Sequence, residues 1–204
     1  MEAIFPFVIF AIMGGVVIFF SLQGIKRNGQ IWEGVARDLG LSYDSASSWA
    51  MGAISGDFKG YPVRISTFTR GSGKDSKTYT RIETEARPTL PEGLRVYRET
   101  VILSDIGKFF GGQDVQTGDR SFDDLFIIKG ADEHRTLRLL TVEVRRALIG
   151  CDDASGGMAL DSGRVCAELR GVVTDPLQLK RIVEAQHGAI DAVCRQHREM
   201  LSGL

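Results

Sequence analysis

The sequence predicts an α+β fold, a mainly antiparallel sheet with docked helices, carried behind a single N-terminal transmembrane helix. Three observations lead there. Residues 3–22 carry no charge. Runs between residues 51 and 103 alternate apolar and polar side chains, as half-buried strands do. Segments near residues 31–39, 133–149 and 176–201 instead repeat their apolar residues at helical spacing.

The N-terminal run sets the organisation. Twenty residues at 1.5 Å rise give about 30 Å of helix, enough to cross a bilayer. A cleaved signal peptide fits poorly. The leading Met1-Glu2 lacks a basic residue, the apolar run exceeds the usual ~7–15 residues, and no small-residue cleavage site follows. Lys26 and Arg27 follow the run and no cation precedes it. The positive-inside bias then places the N-terminus outside and the remaining chain in the cytoplasm. Three widely spaced cysteines, Cys151, Cys166 and Cys194, suit a reducing compartment. Ala11, Gly14 and Gly15 make a small-residue face on which another membrane helix can pack. The expected organisation is an anchor at 1–25, a juxtamembrane amphipathic helix at 26–41 and a cytoplasmic α+β domain at 42–204.

In the juxtamembrane helix, Asn28 is the expected cap. Ile31, Trp32, Val35, Ala36 and Leu39 form the apolar stripe, and Gly40 ends it. Four strand-like runs follow at 51–58, 61–69, 77–86 and 94–103. In the third, Thr78, Thr80, Ile82, Thr84 and Ala86 alternate with Tyr79, Arg81, Glu83 and Glu85, which predicts one buried and one wet face. Leu125 to Ile128 are apolar on both faces and predict a central strand. Asp132 is expected to cap one helix running to about Ile149, with Leu137, Leu140, Val144 and Leu148 inward. Ser162-Gly163 predicts a hairpin. Pro176 opens a last helix, capped by Thr174 or Asp175, whose stripe is Leu179, Ile182, Val183, Ile190, Val193 and Leu201.

Charge excludes some functions. Lys plus Arg number 25 and Asp plus Glu 26, a balance of −1 that argues against a dedicated nucleic-acid binder. The stretch TRGSGKDSKTYTR, residues 69–81, superficially suggests a phosphate loop. That loop requires a glycine five residues before Gly73, where Phe68 stands, a Ser or Thr after Lys74, where Asp75 stands, and a following helix, where a strand pattern begins. We expect a hairpin tip and no nucleotide. Lys59, Arg64, Arg70, Lys74, Lys77 and Arg81 make this hairpin basic, with Asp57 and Asp75 opposing them, and mark it as a contact for a partner or a lipid headgroup. Asp114, Asp119, Asp123 and Asp124 lack calcium-loop spacing and suit turns and caps. His187, Asp191 and Cys194 lie near one line of the last helix without a second ligand cluster, a poor metal site. No catalytic motif is present, so we expect neither an enzyme nor a cofactor.

Residues 107–148, with GQDVQTGDRSFDDLFIIKGADEHRTLRLLTVEVRRAL as the carrying stretch, resemble uncharacterised bacterial membrane-anchored domains. The resemblance implies a bacterial membrane setting and carries no activity. The expected function is a non-catalytic, single-span accessory or scaffold subunit. Its partners are integral membrane proteins of a respiratory, photosynthetic, transport or secretion complex, together with the bilayer itself. The alternative is a membrane-proximal sensor that binds a small ligand or lipid headgroup.

Overall fold

Alternation of apolar and polar residues builds one antiparallel sheet, and helical stripes close over one of its faces. The computed structural model describes residues 23–45, 51–87, 90, 93–98 and 113–203. The charge-free run with Ala11, Gly14 and Gly15 lies outside the described residues, as does the second half of the expected strand at 94–103. Among the described residues no helix is long and apolar enough to cross a membrane.

The chain is helical over residues 23–39 (α1). Strands follow at Ser42–Asp44 (β1), Ala53–Phe58 (β2), Tyr61–Arg70 (β3), Lys77–Glu85 (β4), Arg95–Tyr97 (β5) and Gln113–Asp114 (β6). A short helix, Arg120–Asp123 (α2), precedes Ile127–Gly130 (β7). Helices Glu133–Leu139 (α3) and Val142–Ser155 (α4) lead to the hairpin Ala159–Asp161 (β8) and Arg164–Arg170 (β9), and Pro176–Ser202 (α5) ends the fold. The described strands pair antiparallel in the order β1-β2-β3-β4-β9-β8-β5-β7-β6.

Register makes the buried face continuous. Ile54, Ile65, Ile82 and Ala167 align across β2, β3, β4 and β9. Val63, Thr84, Val165, Leu160, Val96 and Ile128 align from β3 to β7. All are buried. Two apolar clusters form on this face. One gathers α1 and β2–β4 around Trp32, Ile65 and Ile82; the other gathers α3, α4 and β5–β8 around Phe122, Leu148 and Leu160. Helix α5 belongs to both, with Leu179, Ile182 and Val183 in the first and Ala189, Ile190 and Val193 in the second.

Buried polar groups are paired where the helices meet the sheet. Gln186 donates to the Ile82 carbonyl at 2.9 Å and accepts from the Thr84 hydroxyl at 3.0 Å. Thr80 donates to the Gly171 carbonyl at 2.8 Å and accepts from the Val173 N–H at 2.9 Å. The indole of Trp32, fully buried, donates to the Val173 carbonyl at 2.8 Å.

Several expectations need correction. Asn28 caps nothing, because the helix already runs through it from residue 23. Gly40, at φ 70°, does end the helix. The expected helix at 133–149 is two, broken at Leu140 (φ −83°, ψ 56°), with Thr141 capping α4 through the Val144 N–H. The break turns Leu137 outward, and Leu201 is also exposed at the end of α5. Strand β7 is second from the sheet edge rather than central, and Leu125 precedes it in a turn after α2. Asp175, not Thr174, caps α5. The Ser162-Gly163 turn stands as expected, with both residues at positive φ.

The Gln186 seam gives a direct test. Gln186→Leu removes the bond to the Ile82 carbonyl and leaves the Thr84 hydroxyl without its acceptor, and should cost about 1–3 kcal/mol of unfolding free energy in urea titrations. Adding Thr84→Val removes one orphan, so the double variant should lose less than the sum of the singles. Strict additivity would contradict the pairing.

Candidate functional site

The basic hairpin is real, and its geometry explains its glycines. Strands β3 and β4 join through a single 3-10 turn at Gly73–Asp75. Gly71 has φ 92°, and a Cβ there would fall 2.7 Å from the Asp75 carbonyl oxygen. Only glycine fits this crossing of backbone over backbone. A strand follows the turn where a phosphate loop would need a helix, and the glycines serve the turn.

The solvent side of the sheet at the hairpin's root is a laminate of arginine, aromatic rings and one glutamate. Register aligns Phe68 with Tyr79 and Tyr79 with Arg170, and places Ser66, Arg81 and Glu168 in the next row. The Phe68 and Tyr79 rings stack, with centroids 5.5 Å apart. The guanidinium of Arg70 lies 5.0 Å from the Tyr79 centroid and that of Arg81 4.6 Å from the Phe68 centroid. Both then reach Glu168, at 2.6 Å each. The Glu168 side chain is only 6% exposed. Burial works against the Arg81 charge, but the hydrogen bond and charge of Glu168 outweigh it, so Arg81 titrates above its ordinary value.

The six predicted basic residues therefore divide. Arg70 and Arg81 are fixed on Glu168. Lys74 and Lys77 are exposed at the tip, and Arg64 is exposed mid-strand in register with Glu83. Lys59 sits in the β2–β3 turn at the opposite end of β3, ten residues of strand away. Sequence reasoning missed Glu168 and Arg170. Both lie on β9, some ninety residues along the chain, and only strand pairing brings them to β4.

The other candidates have structural employment. Asp119 caps α2 and binds Arg145 at 3.1 Å. Asp123 accepts from the Thr117 hydroxyl and from the Thr117 and Gly118 backbone N–H groups. Asp114 pairs with Lys129. Asp191 accepts from the Tyr61 hydroxyl at 2.9 Å, and the His187 ring sets its edge against Phe58 and Tyr61. Among the described residues no group of three or more His, Cys, Asp or Glu side chains is placed to hold a metal ion. Burial pushes the Cys151 and Cys166 thiols up to about 12 and also raises that of Cys194, so all three stay protonated at neutral pH. Buried His197 leaves Nδ1 without a partner, and burial, then the charge of Arg135, holds its pKa below the ordinary 6.5.

No protein-family model matches this chain, and no curated protein matches it. Its fold is similar to that in the crystal structure of the mycobacterial trehalose monomycolate transport factor A, TtfA, with a TM-score of 0.54. The likeness covers 81% of this chain and 94% of that one at 11% identity, and so speaks to fold alone.

Two outcomes follow from the site. Glu168→Ala removes the carboxylate that both guanidiniums bind and should cost about 2 kcal/mol in urea unfolding. That is less than the ~3–5 kcal/mol for breaking a fully buried pair, because Arg70 is 34% exposed and screened. Unchanged stability would reduce the laminate to a surface ion pair. His197 resists protonation when folded, whereas the unfolded chain takes up the proton near pH 6.5. Acidification below about pH 6.5 should therefore erode stability. His197→Leu should show a smaller difference between unfolding midpoints at pH 7 and pH 5 than the parent; an equal difference would assign the acid sensitivity elsewhere.

Proposed function

We propose that this chain is a non-catalytic accessory subunit of a bacterial membrane assembly of the transport class, anchored by residues 3–22 and presenting its α+β domain to partner subunits. The observation that carries the reading is the fold likeness to a transport factor across nearly the whole of that chain. Supporting it, α1 is fastened to the domain rather than hinged. Trp32 is fully buried and hydrogen-bonded to Val173, and Asp38 pairs with Lys180 of α5. A single span leading into such a helix would hold the domain at a fixed angle to the bilayer, which suits a scaffold better than a flexible tether. The domain lies on the cytoplasmic side in this reading, given Lys26 and Arg27 after the span.

Purification of the full chain in mild detergent should return stoichiometric integral membrane partners. Gly15→Leu should lower their recovery about ten- to thirtyfold while leaving membrane insertion intact, the effect of about 1–2 kcal/mol of helix packing. Because the native thiols are buried, topology is read from Lys74→Cys. That thiol should stay silent to an impermeant reagent in intact cells and react after lysis. Recovery of the chain without partners, or labelling in intact cells, would contradict the reading.

A further inference from the structure

Helix α1 has a direction fixed by contacts at its two ends. Trp32 binds Val173, whose own N–H is held by Thr80. Leu41, just past the helix, packs on Gly56, where an added Cβ would lie 3.0 Å from its Cδ2. Gly56 aligns with Val63 and so with Thr84. Thr80 lies towards the β3–β4 tip and Thr84 away from it. The helix thus runs from the tip end towards the β2–β3 turn. Residues 23–31 continue beyond Trp32 for about 13 Å in the tip direction. Residue 23, where the described helix begins, therefore lies towards the edge that carries the hairpin tip, with Lys59 at the far end.

That edge is basic and bears an exposed apolar side chain. Lys26 and Arg27 of α1, Lys74 and Lys77 of the tip and Arg170 of β9 are all exposed. Leu177, in the first turn of α5 just after Val173, is 75% exposed and lines an open 380 Å³ cleft with Asp175, Gln178 and Arg181. Asp44, Asp75 and Asp175 oppose the five cations, and Asp175 is already engaged by the Leu177 N–H.

We infer that this edge is a contact surface for an anionic lipid bilayer, with Lys74, Lys77 and Arg170 meeting headgroup phosphates and Leu177 entering the interface. The inference rests on the proposed reading that residues 3–22 are membrane-embedded. Charges supplied by three separate elements along a rim, rather than converging in a cleft, match a plane of headgroups. An apolar side chain among exposed cations is the composition that binds such a plane.

The test uses the full chain in nanodiscs. The three native cysteines are buried, so one introduced cysteine carries the fluorophore, at Lys74→Cys or at Lys59→Cys. Headgroup spin-labelled lipid is the quencher, in phosphatidylcholine alone or mixed with phosphatidylglycerol. Quenching is expected at residue 74 and not at 59, and it should strengthen with phosphatidylglycerol and weaken with salt. Lys77→Gln with Arg170→Gln should reduce the apposed fraction about tenfold or more, at roughly fivefold per cation lost. Equal quenching at both positions, indifference to lipid charge, no effect of the Gln pair, or failure of the chain to enter nanodiscs overturns the inference. Burial of residue 74 only when a co-purified protein is present would assign the edge to an acidic partner and likewise overturn it. Partner recovery is scored in detergent without these lipids, so that reading and this one can fail separately.

Discussion

One backbone unit, Val173, decides how the pieces of this fold are oriented. Its N–H is held by the Thr80 hydroxyl and its carbonyl by the Trp32 indole. Three elements distant in the chain, α1, β4 and the β9–α5 connection, therefore meet at one buried peptide. Leaving either group unpaired in that interior would cost about as much as a lost hydrogen bond and the desolvation behind it. The alternatives open to α1, sliding along the sheet or reversing, each orphan the Val173 carbonyl and expose Trp32. The direction of α1 follows from this contact together with that of Leu41 on Gly56, rather than from any property of the hairpin.

Helix α5 plays the complementary part along the sheet. Its first half fills the cluster beneath α1 and β2–β4, and its second half fills the cluster shared with α3 and α4. Gln186 falls between the two halves, where the amide reaches Ile82 and Thr84 on β4. A leucine at this position would satisfy the helical stripe and be free to pack in more than one register. The amide accepts only a placement in which both partners are met, so it fixes the seating of α5 in the way buried polar groups specify register elsewhere. The two clusters are thereby held as one body, although each has its own apolar centre.

Much of this was legible in the sequence, for a physical reason that also marks where legibility stopped. Alternation in residues 77–86 and helical stripes such as Leu179–Ile182–Val183 are local patterns imposed by one buried face, and those elements appear as expected. The break at Leu140 was hidden because Leu140, Val144 and Leu148 keep helical spacing across it. Thr141 looked like an ordinary helical residue rather than a cap. The hairpin tip was readable from glycines whose turn is built within eight residues. Its electrostatics were not, since Glu168 and Arg170 reach β4 only through the pairing of β9, and a charge census along the hairpin could not include them.

The distribution of arginine and lysine over the hairpin has its own logic. At the root, two planar guanidiniums lie on stacked rings and both donate to the same carboxylate, Arg81 through two of its nitrogens, an arrangement that an ammonium group could not reproduce. At the tip stand lysines, compact and strongly hydrated, on a turn with no buried residue. The root thus ties β3 and β4 to β9 as far as the Tyr79–Arg170 pair, leaving only the Thr69–Thr78 and Arg70–Lys77 pairs beyond the third strand, and it does so with cations held on one buried carboxylate. The tip keeps cations whose charge remains available at the surface. A tip built this way presents charge at the end of the sheet without leaving the strands free to splay. The same division explains why a contact there would be felt by salt and lipid charge while the fold beneath it would not.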